Sequence, residues 1–214
     1  MRILIIGSTG NVGRRVVTEA QNRGHDVSVM VRQLDKKNKI KFDGINRLVG
    51  DAASADDVER CSQELDIVIS AIRPKQGQEH ELVQLTRQVM KGALKANVRV
   101  LIVGGAARLR VPEQDGQTVL TMPGFLPADV LDIAKACQAQ FDMCVTDRGT
   151  NWTYISPPAM LMPGERTGTY RQGTDQLVVD DNGVSGISME NFAVALIDEA
   201  ENGRYIRTAF TVAN

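Results

Sequence analysis

Aromatic residues make up only 4% of this 214-residue chain, with a single tryptophan, and cysteine occurs three times. Cys61, Cys137 and Cys144 are odd in number and show no CxxC spacing, which argues against a disulfide framework and against a zinc site. They are read as reduced packing residues. Histidine is scarcer still, and His25 and His80 are too isolated for a histidine-based metal centre. Neither charge dominates, 25 Lys and Arg against 26 Asp and Glu, so nothing electrostatic asks for nucleic acid or an anionic membrane surface. The apolar runs are strand-sized, far below the roughly 20 residues that cross a bilayer, and no signal-peptide pattern opens the chain. These absences lead us to expect a soluble, cytoplasmic protein whose partner is a small molecule. Nothing in the pattern specifies an oligomeric state.

What is present is an alternation. With 43% hydrophobic residues the chain can bury one large core, and a single domain over residues 1–214 is expected. Runs rich in Val, Ile and Leu recur at 2–6, 26–31, 45–50, 65–71, 99–105 and 151–156, each a candidate buried strand. Between them lie stretches of helical period at 12–23, 55–63, 79–96 and 128–148. Gly24 fits a helix C′ position, and Ser54 with Asp57 fits a helix start. Strands alternating with helices predict βαβ units and an α/β, Rossmann-like, doubly wound parallel sheet. After Ser156 the pattern changes to PPAMLMPGERTG, an expected hairpin around 180–183, a helix from about Met189 to Glu201 and a closing strand, TAFTV. That tail reads as a small cap on the substrate side.

The stretch GSTGNVG, Gly7 to Gly13, joins the first strand to the first helix. In a βαβ unit the first glycine permits the turn, the second lets backbone approach a pyrophosphate, and the third lets helix and strand pack closely. The helix start then offers free N–H groups and a positive dipole end. Gly7, Ser8, Thr9, Gly10, Asn11, Val12 and Gly13 are therefore candidate cofactor contacts. Arg32 ends the second strand, where an acidic residue would favour NAD and arginine accommodates the 2′-phosphate of NADP. One charge-assisted contact of roughly 1.5–3 kcal/mol corresponds to about 10 to 150-fold preference, so NADP(H) is expected over NAD(H). Lys36 and Lys37 follow closely, and a lysine pair on a loop is most simply solvated surface. Asp51 and Ala52 past the third strand, and Ser70, Ala71 and Ile72 ending the fourth, fall at carboxyl ends where ligands sit. Asp51 could accept the adenine amino group or merely cap its loop.

GSTGNVG, LVGD (48–51), VISA (68–71), VGGAA (103–107), WTYISPPAMLMPGERTG (152–168) and ISMENFAVALIDE together resemble the atypical branch of the short-chain dehydrogenase/reductase superfamily. The resemblance is to NADH-flavin reductase-like proteins, which are similar to biliverdin reductase B and more loosely to NmrA-like regulators. It implies a nicotinamide near Gly104, Gly105, Pro157 and Pro158, and reduction of FMN, FAD or another conjugated acceptor such as a quinone or tetrapyrrole. The wider superfamily's YxxxK pair is missing: Tyr154, Tyr170 and Tyr205 are followed four residues on by Pro158, Thr174 and Ala209. A ketone needs a placed acid when hydride arrives, whereas a conjugated acceptor spreads the charge, so positioning could supply most of the acceleration. Gly105, Ala106 and Pro157 are the positioning candidates. The segment 109–126 is the expected lid, with Met122, Phe125 and Leu126 as either its apolar face or plain core. Glu165 and Arg166 either contact substrate or form an ion pair that fixes their loop. A non-catalytic NADP(H) redox sensor is the alternative function.

Overall fold

The computed structural model describes residues 1–33 and 44–214. Ten strands and five helices are defined among these: β1 Arg2–Ile6, α1 Asn11–Asn22, β2 Asp26–Val31, β3 Asn46–Val49, α2 Ala55–Ser62, β4 Ile67–Ser70, α3 Glu81–Lys95, β5 Arg99–Val103, α4 Leu131–Thr146, β6 Trp152–Ser156, β7 Met160–Met162, β8 Arg171–Gly173, β9 Gly186–Ser188, α5 Met189–Asn202 and β10 Thr208–Ala213. Lys36 and Lys37 lie outside the described residues.

The main sheet has eight strands in the order β3-β2-β1-β4-β5-β6-β10-β8. Neighbours from β3 to β10 are parallel, and β8 closes the edge antiparallel to β10. This is the doubly wound Rossmann-like architecture that the alternation predicts, with its order reversing between β1 and β4.

The pleat sorts side chains between two cores. Ile3 and Ile5 of β1 pack with Val16 and Val17 of α1 and Phe192 and Leu196 of α5. Leu4 and Ile6 point the other way, into a core shared with Val58 of α2, Val89 of α3 and Cys144 of α4. Both faces are therefore covered, as parallel strands require. Gly24 follows α1 at φ +75°, its N–H bonded to the Gln21 carbonyl at 2.9 Å, as a left-handed C′ residue should be.

Two expectations need correction. The run at 45–50 is no buried strand: β3 is the sheet edge, where Asn46, Arg47 and Val49 are exposed. The hairpin around 180–183 is reduced to a turn, with the Asp180 N–H bonded to the Val184 carbonyl at 2.9 Å. The strand leaving it, β9, runs parallel to β7 instead of pairing back. The reason is upstream, where Leu177 and Val179 are drawn into a satellite core with Leu109 and Val119.

Candidate cofactor and acceptor site

All the strand ends singled out in the sequence lie along one edge, because parallel strands place their carboxyl ends together. At its centre the glycine loop turns from β1 into α1. Gly7 adopts φ +83°, and a Cβ there would sit 2.5 Å from the Ala71 carbonyl oxygen at the end of β4. A Cβ on Gly13 would lie 2.1 Å from the Gly7 carbonyl oxygen, so only glycine lets α1 settle onto its own loop. Gly10 differs: φ is an ordinary −73°, and an added Cβ would meet only the Gly7 oxygen at 3.3 Å. The protein's own packing thus demands Gly7 and Gly13, while the face of Gly10 is left open to a ligand.

The start of α1 is unfinished by side chains. Gly10 is its N-cap, no side chain among the described residues bonds its first amides, and its first turn holds no acidic residue. Backbone bonding resumes with the Arg14 N–H on the Gly10 carbonyl at 3.1 Å, leaving the earlier helical amides as donors. Ser8, 1% exposed, has a buried hydroxyl with no hydrogen-bond partner among the described residues. Buried hydroxyls are normally satisfied. Uncapped amides, an orphaned hydroxyl and an open Gly10 fit a diphosphate.

Around this centre, Thr9 and Asn11 are exposed and Val12 is half-buried. Arg32 is exposed and makes no hydrogen bond or ion pair among the described residues. Asp51 takes its capping role: one carboxylate oxygen accepts the Ala53 N–H at 2.9 Å, while its own N–H donates to Asp57 at 3.0 Å. Ala52 is half-buried, Ser70 and Ala71 are buried, and Ile72 is half-buried beside them.

The β5 and β6 end is built differently. A Cβ on Gly104 would collide with the Tyr154 ring, and one on Gly105 with the Cys137 side chain, 2.7 Å from its Cβ. The Gly105 N–H donates to the Tyr154 hydroxyl at 3.1 Å, and that hydroxyl donates to the Cys137 carbonyl at 3.0 Å. Tyr154 is fully buried, and burial pushes its phenol well above the usual tyrosine range. Tyr170 donates to Asp198 at 2.6 Å, burial and that carboxylate again raising its pKa, and Tyr205 stacks on Phe210 at 4.2 Å. All three tyrosines are engaged in packing or hydrogen bonds. Ala106 is half-buried against the satellite core, Pro157 is half-buried and Pro158 buried.

The loop after β7 is clamped from beneath. Arg166 donates to both oxygens of Glu19 at 2.7 and 2.8 Å, and this guanidinium, with Arg23, holds the buried Glu19 carboxyl below its usual range. Arg166 therefore fixes its loop through Glu19 and not through Glu165. Phe125 and Leu126 pack onto the satellite core, so they are core as much as surface.

Sequence reasoning missed two arginines here. Arg108 follows β5 and is half-buried: its Nε donates to the Ser156 hydroxyl at 3.0 Å, an Nη to the Thr174 carbonyl at 2.7 Å, and its carbon lies 4.8 Å from the Phe141 ring centre. Arg73, exposed just past β4, is near enough to Cys137 for its charge to act against the burial that raises that thiol to about 11. Neither belongs to a motif, and only the fold brings them to the same edge.

Residues 7–200 match the family model described as NAD(P)H-binding. The chain belongs to that family. It is similar along its whole length to the uncharacterized protein YwnB of Bacillus subtilis (strain 168), 33% identical over 217 residues, 100% of this chain and 99% of YwnB. Among solved structures, a Bacteroides thetaiotaomicron protein provisionally named an epimerase is 34% identical, with 99% of this chain and 96% of that one aligned and a TM-score of 0.88. A Streptococcus pneumoniae TIGR4 protein provisionally named an NADH-flavin reductase is 27% identical, with 100% and 99% aligned and a TM-score of 0.86. The expected membership of an NAD(P)H-binding family and the expected likeness to NADH-flavin reductase-like proteins are borne out. Among the described residues no helix is long and apolar enough to cross a membrane, and no cluster of His, Cys, Asp or Glu could hold a metal.

Proposed function

We propose that this protein is an NADPH-dependent reductase that passes hydride to a flavin or a similarly conjugated acceptor, without a tyrosine–lysine pair. The observation that carries the reading is the pairing of an open, phosphate-ready helix start with tyrosines that are all engaged in packing or hydrogen bonds, Tyr154 being locked beneath Gly105 at the same edge. When bound, NADPH supplies two electrons as hydride, and one proton from water completes the dihydro acceptor, leaving NADP⁺. The chain's own part is positional. The first amides of α1 and Ser8 hold the diphosphate, Arg32 meets the 2′-phosphate, and the strand ends at Ala71, Gly104 and Gly105 form the floor. Pro157 and Met160 offer a wall against which a planar acceptor can lie face to face with the nicotinamide. Epimerisation, the name given to the Bacteroides neighbour, asks for proton-transferring side chains, and the buried Tyr154 does not supply one. Three free cysteines suit the cytoplasm.

Following NADPH absorbance with FMN, riboflavin and a quinone as acceptors tests the reading. Oxidation that saturates with acceptor, and fails in Gly10→Asp, is the expected result. Tight cofactor binding with no turnover on any acceptor would replace the reductase with a redox-sensing binder.

A further inference from the structure

A guanidinium that is half-buried and lacks a counterion is costly, and burial lowers the Arg108 pKa for that reason. No carboxylate lies within ion-pair distance of Arg108 among the described residues. The carboxylate whose charge reaches it, Asp175, is paired with Arg110 at 2.6 Å. Two bonds to neutral oxygens and the Phe141 face fix the orientation of the group, yet they satisfy only part of its five-donor fork. Its second terminal nitrogen has no hydrogen-bond partner among the described residues. The place is informative as well. Ser156, which holds Nε, is followed directly by Pro157, and Arg108 lies three residues beyond Gly105, so the unspent charge stands at the carboxyl ends of β5 and β6. Arg73 adds a second cation from the end of β4, without an ion-pair partner among the described residues and acting on Cys137 beneath Gly105.

We propose that Arg108 is the anion anchor of the acceptor subsite, so that this protein selects a conjugated acceptor carrying a phosphate or carboxylate over its neutral counterpart. The inference rests on the reductase reading and deepens it, and it places Arg108 in contact with substrate. Arg73 supplies supporting positive potential from the rim. A pre-oriented, partly desolvated guanidinium binds such a group by charge-assisted, geometrically specific hydrogen bonds.

FMN and riboflavin share one ring system and differ by a phosphate, so equilibrium titration by flavin fluorescence, on the full chain saturated with NADP⁺, isolates the anchor. FMN is expected to bind tighter by about tenfold or more, the advantage of one charge-assisted contact. Arg108→Gln should remove that advantage while leaving riboflavin within about twofold, and Arg108→Lys, which keeps the charge, should retain part of it. Should Arg108→Gln fail to fold, the wild-type advantage should still shrink as ionic strength rises, since salt screens a partly exposed pair. Equal affinities for the two flavins, or an Arg108→Gln variant that loses both equally, would overturn the anchor and leave Arg108 a structural tie. Failure of the reductase reading looks different: NADPH is not oxidised in the presence of either flavin, whatever their affinities.

Discussion

Helices α1 and α5 pack against each other on one face of the sheet, and both begin at its carboxyl edge, yet their first turns are completed in opposite ways. The first turn of α5 is closed by its own side chains. The Ser188 hydroxyl accepts the Asn191 N–H at 3.0 Å, and Glu190 sits in the first turn, bound to Arg15 at 2.5 Å and to the Gly164 N–H at 2.8 Å. The start of α1 has glycine at the cap, no acid and no side-chain bond. A serine cap contributes about 1 kcal/mol and an acid at the dipole's positive end a further 0.3–1 kcal/mol. That α1 forgoes both, beside a helix that uses both, supports the proposal that the missing acceptor comes from outside the chain.

Closing the open end should invert this contrast and produce the largest effect. Gly10→Asp fits the ordinary φ at that position and supplies a cap, so the melting temperature of the free protein should hold or rise slightly. NADPH affinity should fall about 100-fold or more, because a carboxylate then faces the diphosphate and like charges cost several kcal/mol. Calorimetric titration and thermal melts on one preparation check both halves. Loss of stability together with loss of binding would mean that Gly10 is needed by the fold.

Opening the closed end should do less. Ser188→Ala should cost about 1 kcal/mol of stability, read from denaturant unfolding, while NADPH affinity stays within about twofold. A large drop in affinity would show that the α5 start also belongs to the cofactor site.

Part of this contrast was legible in the sequence. GSTGNVG predicts a strand leading into a helix start with free N–H groups, and a helix is expected from about Met189, whereas the Ser188 cap is not singled out, although capping is local chemistry that neighbouring residues decide. The core strands were equally plain, since RILII and RVLIV are buried on both faces and run without alternation. Edge position was not. In β3, NRLV, Asn and Arg make up half of the strand, and its edge position, with no further strand beyond it among the described residues, leaves Val49 exposed as well. Three-residue strands such as β7 and β9 carry no period of their own, so their parallel pairing depends on where Leu177 and Val179 are buried. Arg166 and Glu19 meet across 147 residues, and Arg108 gains its meaning from Phe141 and Ser156, which no local pattern connects to it. Backbone-built parts of the site could be read ahead, whereas parts built from distant side chains could not.

Isothermal titration of the wild-type chain with NADPH and with NADH most directly tests the claim that the start of α1 holds a dinucleotide diphosphate with Arg32 on the adenosine side. Saturable heat from both is expected, with NADPH bound about 10 to 150-fold more tightly and that margin lost in Arg32→Asp. No heat from either dinucleotide would contradict the account at its root.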